Sequence, residues 1–204
     1  MSQPNPKGVC VGTSDALVVV DVQNDFLPGG TLAVPGGDEI VPVINRYVQL
    51  FESKGLPIFA TRDWHPKQHS SFAEQGGPWP YHCRAGSKGS EFPPELHLPD
   101  FVPVLSKGTV VTKDAYSGFE GTDLNERLKS AGIHRIAVGG LATDYCVLNT
   151  VKDALTNGFD VLLLKDAVRA VNVGTQDGEK ALEEMIRLGA VPVEFEDLST
   201  DRQR

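Results

Sequence analysis

The chain has 204 residues, 40% hydrophobic and 23% charged, enough for a sizeable globular core and too apolar for a disordered chain. Nineteen basic residues against 27 acidic ones give a net charge of −8, and no basic cluster is present, which argues against a nucleic-acid partner. Cys10, Cys83 and Cys146 are too few, and odd in number, for a disulfide framework. Met1–Thr13 lacks the basic start and apolar run of a secretion signal, and no apolar run approaches the ~20 residues of a membrane span. A cytoplasmic protein with no membrane partner is expected.

The first 14 residues are polar, with two prolines, and are expected to be a flexible segment ahead of a single domain over 15–204. Ala16 to Val22 is a continuous apolar run broken only by Asp21, as buried parallel strands show. Gly37 to Lys54 has helical spacing at Ile40, Val43, Ile44, Tyr47, Val48 and Phe51. Pro57 to Thr61 and Thr109 to Thr112 read as the second and third strands. Between them Pro and Gly crowd residues 66–103, a long irregular segment that holds Trp79, His69, His82 and His97. Such segments in compact domains are usually functional or disordered, and the Trp and His residues favour an ordered one.

Asp123 to Ala131 reads as a helix capped by Thr122 or Asp123. Arg135 to Val138 is the fourth strand. Thr143 to Asn157 is a helix closed by Gly158, and Asp160 to Leu164 is the fifth strand. Asp177 to Leu188 is a helix closed by Gly189, and Val191 to Phe195 is the sixth strand. This alternation predicts an α/β fold of three layers, α/β/α, with a six-stranded, mainly parallel sheet and helices on both faces. Functional residues are then expected just beyond the carboxyl ends of strands.

Several residues stand there. Cys146 follows two glycines and a short polar turn after the fourth strand, in the first turn of the next helix. A helix N-terminus favours a thiolate, so this is a candidate nucleophile against the bland reading of a small buried apolar residue. Asp21 ends the first strand, where a carboxylate after three valines needs a partner to stay charged. Lys113 follows the expected third strand and would supply that partner. Asp63 and His65 follow the second strand at a spacing of two, which points both side chains of an extended segment to the same side. With His82 they make an open oxygen and nitrogen site for Zn²⁺, Fe²⁺ or Mn²⁺, with His69 competing as third ligand and Cys83 read as structural.

Three separated stretches together carry a resemblance: Val-Val-Asp-Val-Gln-Asn-Asp-Phe (19–26), Lys-Asp-Ala-Tyr-Ser-Gly-Phe-Glu-Gly-Thr-Asp-Leu (113–124) and Gly-Leu-Ala-Thr-Asp-Tyr-Cys-Val (140–147). They resemble the isochorismatase-like cysteine hydrolases. Residues 62–72 and Trp-Pro-Tyr-His-Cys (79–83) resemble the nicotinamidase/pyrazinamidase branch, and the likeness runs from about Asp15 to Phe195. One departure is visible: only Asp114 and Ala115 separate Lys113 from the Tyr-Ser-Gly-Phe element, a shorter loop than is common in the family.

The resemblance implies a catalytic triad of Asp21, Lys113 and Cys146. It implies one divalent metal ion, zinc first, on Asp63, His65 and His82, with His69 as a further ligand or a neighbour. It also implies a cis peptide between Leu141 and Ala142, with the N–H groups of Ala142 and Cys146 as an oxyanion hole, and Phe26, Trp79, Tyr116 and Ala142 around the substrate. The implied reaction is hydrolysis of nicotinamide to nicotinate and ammonia, and of pyrazinamide likewise, by a cytoplasmic homo-oligomer serving NAD salvage. The alternatives are an amidohydrolase of the same superfamily acting on carbamoyl or ureido substrates, an isochorismatase proper, which lacks the metal residues, and a non-catalytic binding protein on the same fold.

Overall fold

The structure, a computed structural model, describes residues 8–199. Its strands are β1 Val9–Cys10, β2 Asp15–Val20, β3 Ile58–Asp63, β4 Val104–Lys107, β5 Arg135–Leu141, β6 Asp160–Arg169, β7 Val191–Val193 and β8 Leu198–Ser199. Six of them form one sheet in the order β4-β3-β2-β5-β6-β7, and every pairing is parallel. The helices are α1 Ile40–Ser53, α2 Leu124–Ser130, α3 Leu148–Thr156 and α4 Asp177–Leu188.

The continuous apolar run of β2 arises because both of its faces are covered. Leu17 and Val19 join the core under α1, with Ile40, Ile44, Tyr47 and Phe51. Ala16, Val18 and Val20 join the opposite core, with Leu124 and Leu128 of α2, Val151 and Ala154 of α3, and Met185 of α4. Burying one such large side chain contributes roughly 1.5–3 kcal/mol. That packing, rather than propensity, holds the helices: α2 has seven residues, well short of the ~12–15 at which an isolated helix becomes even marginal.

The expected elements recur with shifted ends, β6 running on to Arg169 and β7 stopping at Val193, and with three larger differences. The third strand lies at Val104–Lys107, whereas Thr109 to Lys113 is an exposed loop closed by a bridge between Val110 and Lys113. β4 is an edge strand and buries alternate residues, Leu105 and Lys107, so it lacks the apolar run that marks a central strand. The expected helix over 143–157 is a π-helical turn, Thr143–Val147, running into α3. Of the expected flexible segment 1–14, residues 1–7 lie outside the described residues. In the remainder, Val9 and Cys10 pair in parallel with Leu198 and Ser199.

From the central β2 the chain builds outward to β3 and β4 on one side and through β5, β6 and β7 on the other. The order therefore reverses between β2 and β5, and their carboxyl ends border the crevice where doubly wound sheets bind ligands. Among the described residues no helix is long and apolar enough to cross a membrane.

Candidate active site and metal centre

Asp21 leaves β2 in the left-handed region (φ 49°), a conformation that Asp tolerates better than most residues and that turns the chain over the end of the sheet. Asp63 ends β3 and Lys107 ends β4, and the strand register sets these two opposite one another. Cys146 comes from the π-helical turn after β5. All four side chains are buried.

Lys107 is the hub. Its Nζ lies 2.5 Å from Asp63 Oδ1, 2.9 Å from Asp21 Oδ2, 3.1 Å from the Ala115 carbonyl oxygen and 3.3 Å from Cys146 Sγ. Thr61 donates its hydroxyl hydrogen to Asp21 Oδ1 at 2.7 Å. Burial would pull the Lys107 ammonium down, but the two carboxylates outweigh it and hold the charge well above the ordinary lysine range. Burial pushes the Cys146 thiol well up, against the opposing pull of Lys107. Burial likewise raises Asp21, with Lys107 opposing, while Asp63, also buried, is held well below the carboxylate range by Lys107 and His65. Burial thus favours the protonated form of both Asp21 and Cys146, beside a lysine that keeps its charge.

The lysine expected in this role, Lys113, is elsewhere. Its side chain is 65% exposed and pairs with Glu120 at 3.1 Å, and its carbonyl oxygen faces the His69 ring. Lys107 stands in its place because the strand that delivers the side chain is β4, not the stretch 109–112. The apparent departure in loop length goes with this misplacement, since from Lys107 eight residues precede Tyr116. A signal for Lys107 was present in Ser106-Lys107-Gly108, a lysine ending an extended stretch before a glycine with positive φ (61°). A Cβ at Gly108 would lie 2.5 Å from the His65 ring, so only glycine lets β4 end against that imidazole.

The thiol of Cys146 sits in the first turn of the helical segment that begins at Thr143, a turn that is π-helical before it runs into α3, and Lys107 Nζ stands beside it as a positive group.

Asp63, His65 and His82 offer one ligand atom each, all within 4.8 Å of one another. His65 Nδ1 lies 3.0 Å from the Gly108 carbonyl oxygen and His82 Nδ1 lies 2.8 Å from that of Pro80. Each Nδ1–H donating to its carbonyl leaves the Nε2 lone pair for a cation, the usual outer-shell arrangement of metal-binding imidazoles. Burial lowers the His82 pKa, which keeps that ring in the neutral form a metal needs. Gln23 fixes Asp63 from behind: its amide accepts from the Asp63 N–H and donates to the Asp63 carbonyl, both at 2.8 Å. The donor set fits one divalent ion. His69 stacks on His65 with ring centroids 4.2 Å apart, its two nitrogens facing Ser71 Oγ (2.7 Å) and the Lys113 carbonyl (3.1 Å), and with His65 and Asp114 it forms a second group of possible ligands.

The metal cluster and the nucleophile share one small cavity. Phe26, Trp79, Tyr116 and Ala142, expected around the substrate, all line it with Asp63, His82 and Cys146. Leu32, Tyr145 and Val171, which the motifs did not single out, complete the wall. Trp79 donates its indole N–H to Tyr116 Oη at 2.9 Å and meets the Tyr145 ring edge-on at 4.9 Å. Burial pushes the Tyr116 hydroxyl up to about 12, so it stays protonated at neutral pH. Asp144 accepts from the N–H groups of Val171 (2.9 Å) and Asn172 (2.8 Å), tying the segment after β6 to the turn that carries Cys146. The Leu141–Ala142 peptide is cis, as the resemblance implies.

Comparison with known proteins finds close relatives in sequence and fold. The isochorismatase domain model matches residues 15–197. A nicotinamidase of Escherichia coli (strain K12) is 41% identical over 196 residues, covering 86% of this chain and 92% of the relative. The crystal structure of a pyrazinamidase of Pyrococcus horikoshii in complex with zinc is 50% identical with a TM-score of 0.86, over 89% of this chain and 99% of that one. The structure of PnC1 from L. infantum in complex with nicotinate is 37% identical with a TM-score of 0.88, over 94% of this chain and 98% of that one.

Proposed function

Because the chain belongs to the isochorismatase family, we propose that it is a nicotinamidase, an amidohydrolase that converts nicotinamide to nicotinate and ammonia, and pyrazinamide to pyrazinoate. The observation that carries this reading is the juxtaposition of a thiol, a lysine and a carboxylate with a three-residue metal cluster in one aromatic-walled cavity. The relatives named for nicotinamide and pyrazinamide hydrolysis support the same substrate class.

Asp21 takes the proton of Cys146 Sγ, and Lys107, held charged by its two carboxylates, offsets the thiolate charge. The thiolate attacks the carboxamide carbon, and the N–H groups of Ala142 and Cys146 receive the developing oxyanion. Asp21 returns its proton to the departing ammonia and then draws one from the water that hydrolyses the thioester. Asp63, His65 and His82 would hold one divalent ion, zinc first for this set of ligands, which supplies a Lewis-acidic anchor for the pyridine nitrogen. Phe26 and Trp79 flank the ring, with Tyr116 fixing the indole. Release of nicotinate fits a role in NAD salvage, and we infer a cytoplasmic homo-oligomer from the family resemblance alone.

The deciding experiment measures ammonia release from nicotinamide by the purified protein, with metal content determined on the same sample. Release that is lost on chelation, with roughly one ion per chain, is the expected result. No release from a reduced, metal-loaded sample would overturn the substrate and point to a carbamoyl or ureido compound. Cys146→Ala is expected to lose at least about 10⁴-fold in kcat while retaining the fold; substantial turnover by that variant would sink the thioester scheme.

A further inference from the structure

The two oxygens of Asp21 are not equivalent. Oδ1 is taken by the Thr61 hydroxyl at 2.7 Å, and the Asp21 backbone N–H also donates to the Thr61 carbonyl at 3.2 Å. Oδ2 lies 2.9 Å from Lys107 Nζ yet receives no well-directed hydrogen bond. Among the described residues it is one of only two buried side-chain polar atoms left so. Lys107 Nζ also reaches Asp63, Ala115 and Cys146, so four acceptors compete for its three N–H bonds. A buried carboxylate oxygen that shares its donor in this way is a place where a proton can be received. Oδ2 shares Lys107 Nζ with Cys146 Sγ at 3.3 Å, and an Asp21 carboxylate oxygen lies within 4.8 Å of that sulfur.

A carboxylate turns readily about its last torsion, so nothing in Asp21 alone selects one oxygen. We propose that Thr61 is a positioning residue for the reaction: by occupying Oδ1 with a hydroxyl hydrogen it leaves Oδ2 as the oxygen that exchanges a proton with Cys146. In that exchange the S–H bond breaks, its electron pair stays on sulfur, and an O–H bond forms at Oδ2. The same proton later goes to the departing amide nitrogen. Thr61 suits the task because it is fully buried in β3, two residues before its end, in register with Val20 directly before Asp21. This inference rests on the amidase reading only for the later proton transfer.

Thr61→Val removes the donor and keeps the shape, whereas Thr61→Ser keeps the donor and removes the methyl. For Thr61→Val we expect kcat on nicotinamide to fall about tenfold or more, the size of a lost hydrogen bond to a charged group, with KM and metal content unchanged. Thr61→Ser should stay close to wild type. Alkylation of Cys146 by iodoacetamide at fixed pH, followed by peptide mass analysis, needs no substrate and should slow in Thr61→Val alone. Unchanged kcat and alkylation in Thr61→Val, or equal losses in the serine variant, would overturn the role. If wild type releases no ammonia, the substrate reading fails while the alkylation comparison still decides the role of Thr61. Should Thr61→Val not fold, Thr61→Ala against Thr61→Ser makes the same comparison.

Discussion

Asp63 and Lys107 stand opposite one another at the ends of neighbouring strands, with Lys107 Nζ 2.5 Å from Asp63 Oδ1. The other Asp63 oxygen, Oδ2, lies 3.6 Å from His65 Nε2. One carboxylate therefore joins the lysine beside the nucleophile to the metal cluster; the strand register sets the first contact, and the second follows from His65 lying two residues beyond Asp63.

Lys107 and Lys113 should separate cleanly on substitution. Lys107→Met leaves Asp21 and Asp63 buried without their counter-charge, and kcat/KM should fall by at least about 100-fold. Lys113→Met removes an exposed ion pair of the kind worth about 0–1 kcal/mol, and activity should stay near wild type. Steady-state kinetics on both variants, with circular dichroism to check folding, would settle the matter. A severe loss in Lys113→Met with a mild one in Lys107→Met would reverse the assignment.

Metal content should distinguish the histidines. Asp63→Ala and His82→Ala are each expected to lose the ion, by a factor on the order of 100 in affinity or more, whereas His69→Ala should retain about one ion per chain. Elemental analysis after dialysis reads this directly. Loss of metal in His69→Ala would make that ring a ligand that exchanges its Lys113 carbonyl contact for the ion.

Gly140 lies at φ 133°, and a Cβ there would come within 2.0 Å of the Val20 carbonyl oxygen. No flexible side chain can yield, because the clash is with the backbone of the central strand. Gly140→Ala should destabilise by about 3 kcal/mol or more, visible as a lower urea midpoint. A wild-type midpoint would show that β2 and β5 can part at the switch point.

Asp144 holds Val171 against the cavity through two backbone hydrogen bonds. Asp144→Ala should raise the KM for nicotinamide by roughly tenfold, the scale of a charge-assisted hydrogen bond, with a smaller effect on kcat. An unchanged KM would mean that Val171 keeps its place without the carboxylate.

The fold was legible because its signals are local. β2 reads as a buried strand since six consecutive buried residues must all be compatible with two apolar layers. α4 reads correctly over Asp177–Leu188 because its apolar stripe and its closing Gly189 lie within the segment itself. Asp21, Asp63, His65 and Cys146 are legible for the same reason, as chemically active residues just after strands, whereas His82 stands out only as an imidazole in the Trp-Pro-Tyr-His-Cys stretch of the irregular segment. Lys107 is not legible, because its strand lies at the sheet edge and its burial depends on Asp21 and Asp63, which come from strands far away in sequence. The part taken by Thr61 was equally hidden, since a threonine in a strand is unremarkable until the register sets it beside Asp21.

By itself the sequence determined the layered α/β architecture, the order of elements and the kinds of side chain gathered after the strands, because periodicity and composition act over a few residues. Only the tertiary structure decided which lysine meets the thiol, which imidazole nitrogens remain for a metal and which oxygen of Asp21 stays open. Those choices depend on strand register and on distances of about 3 Å between residues 40 or more positions apart, and no local pattern encodes them.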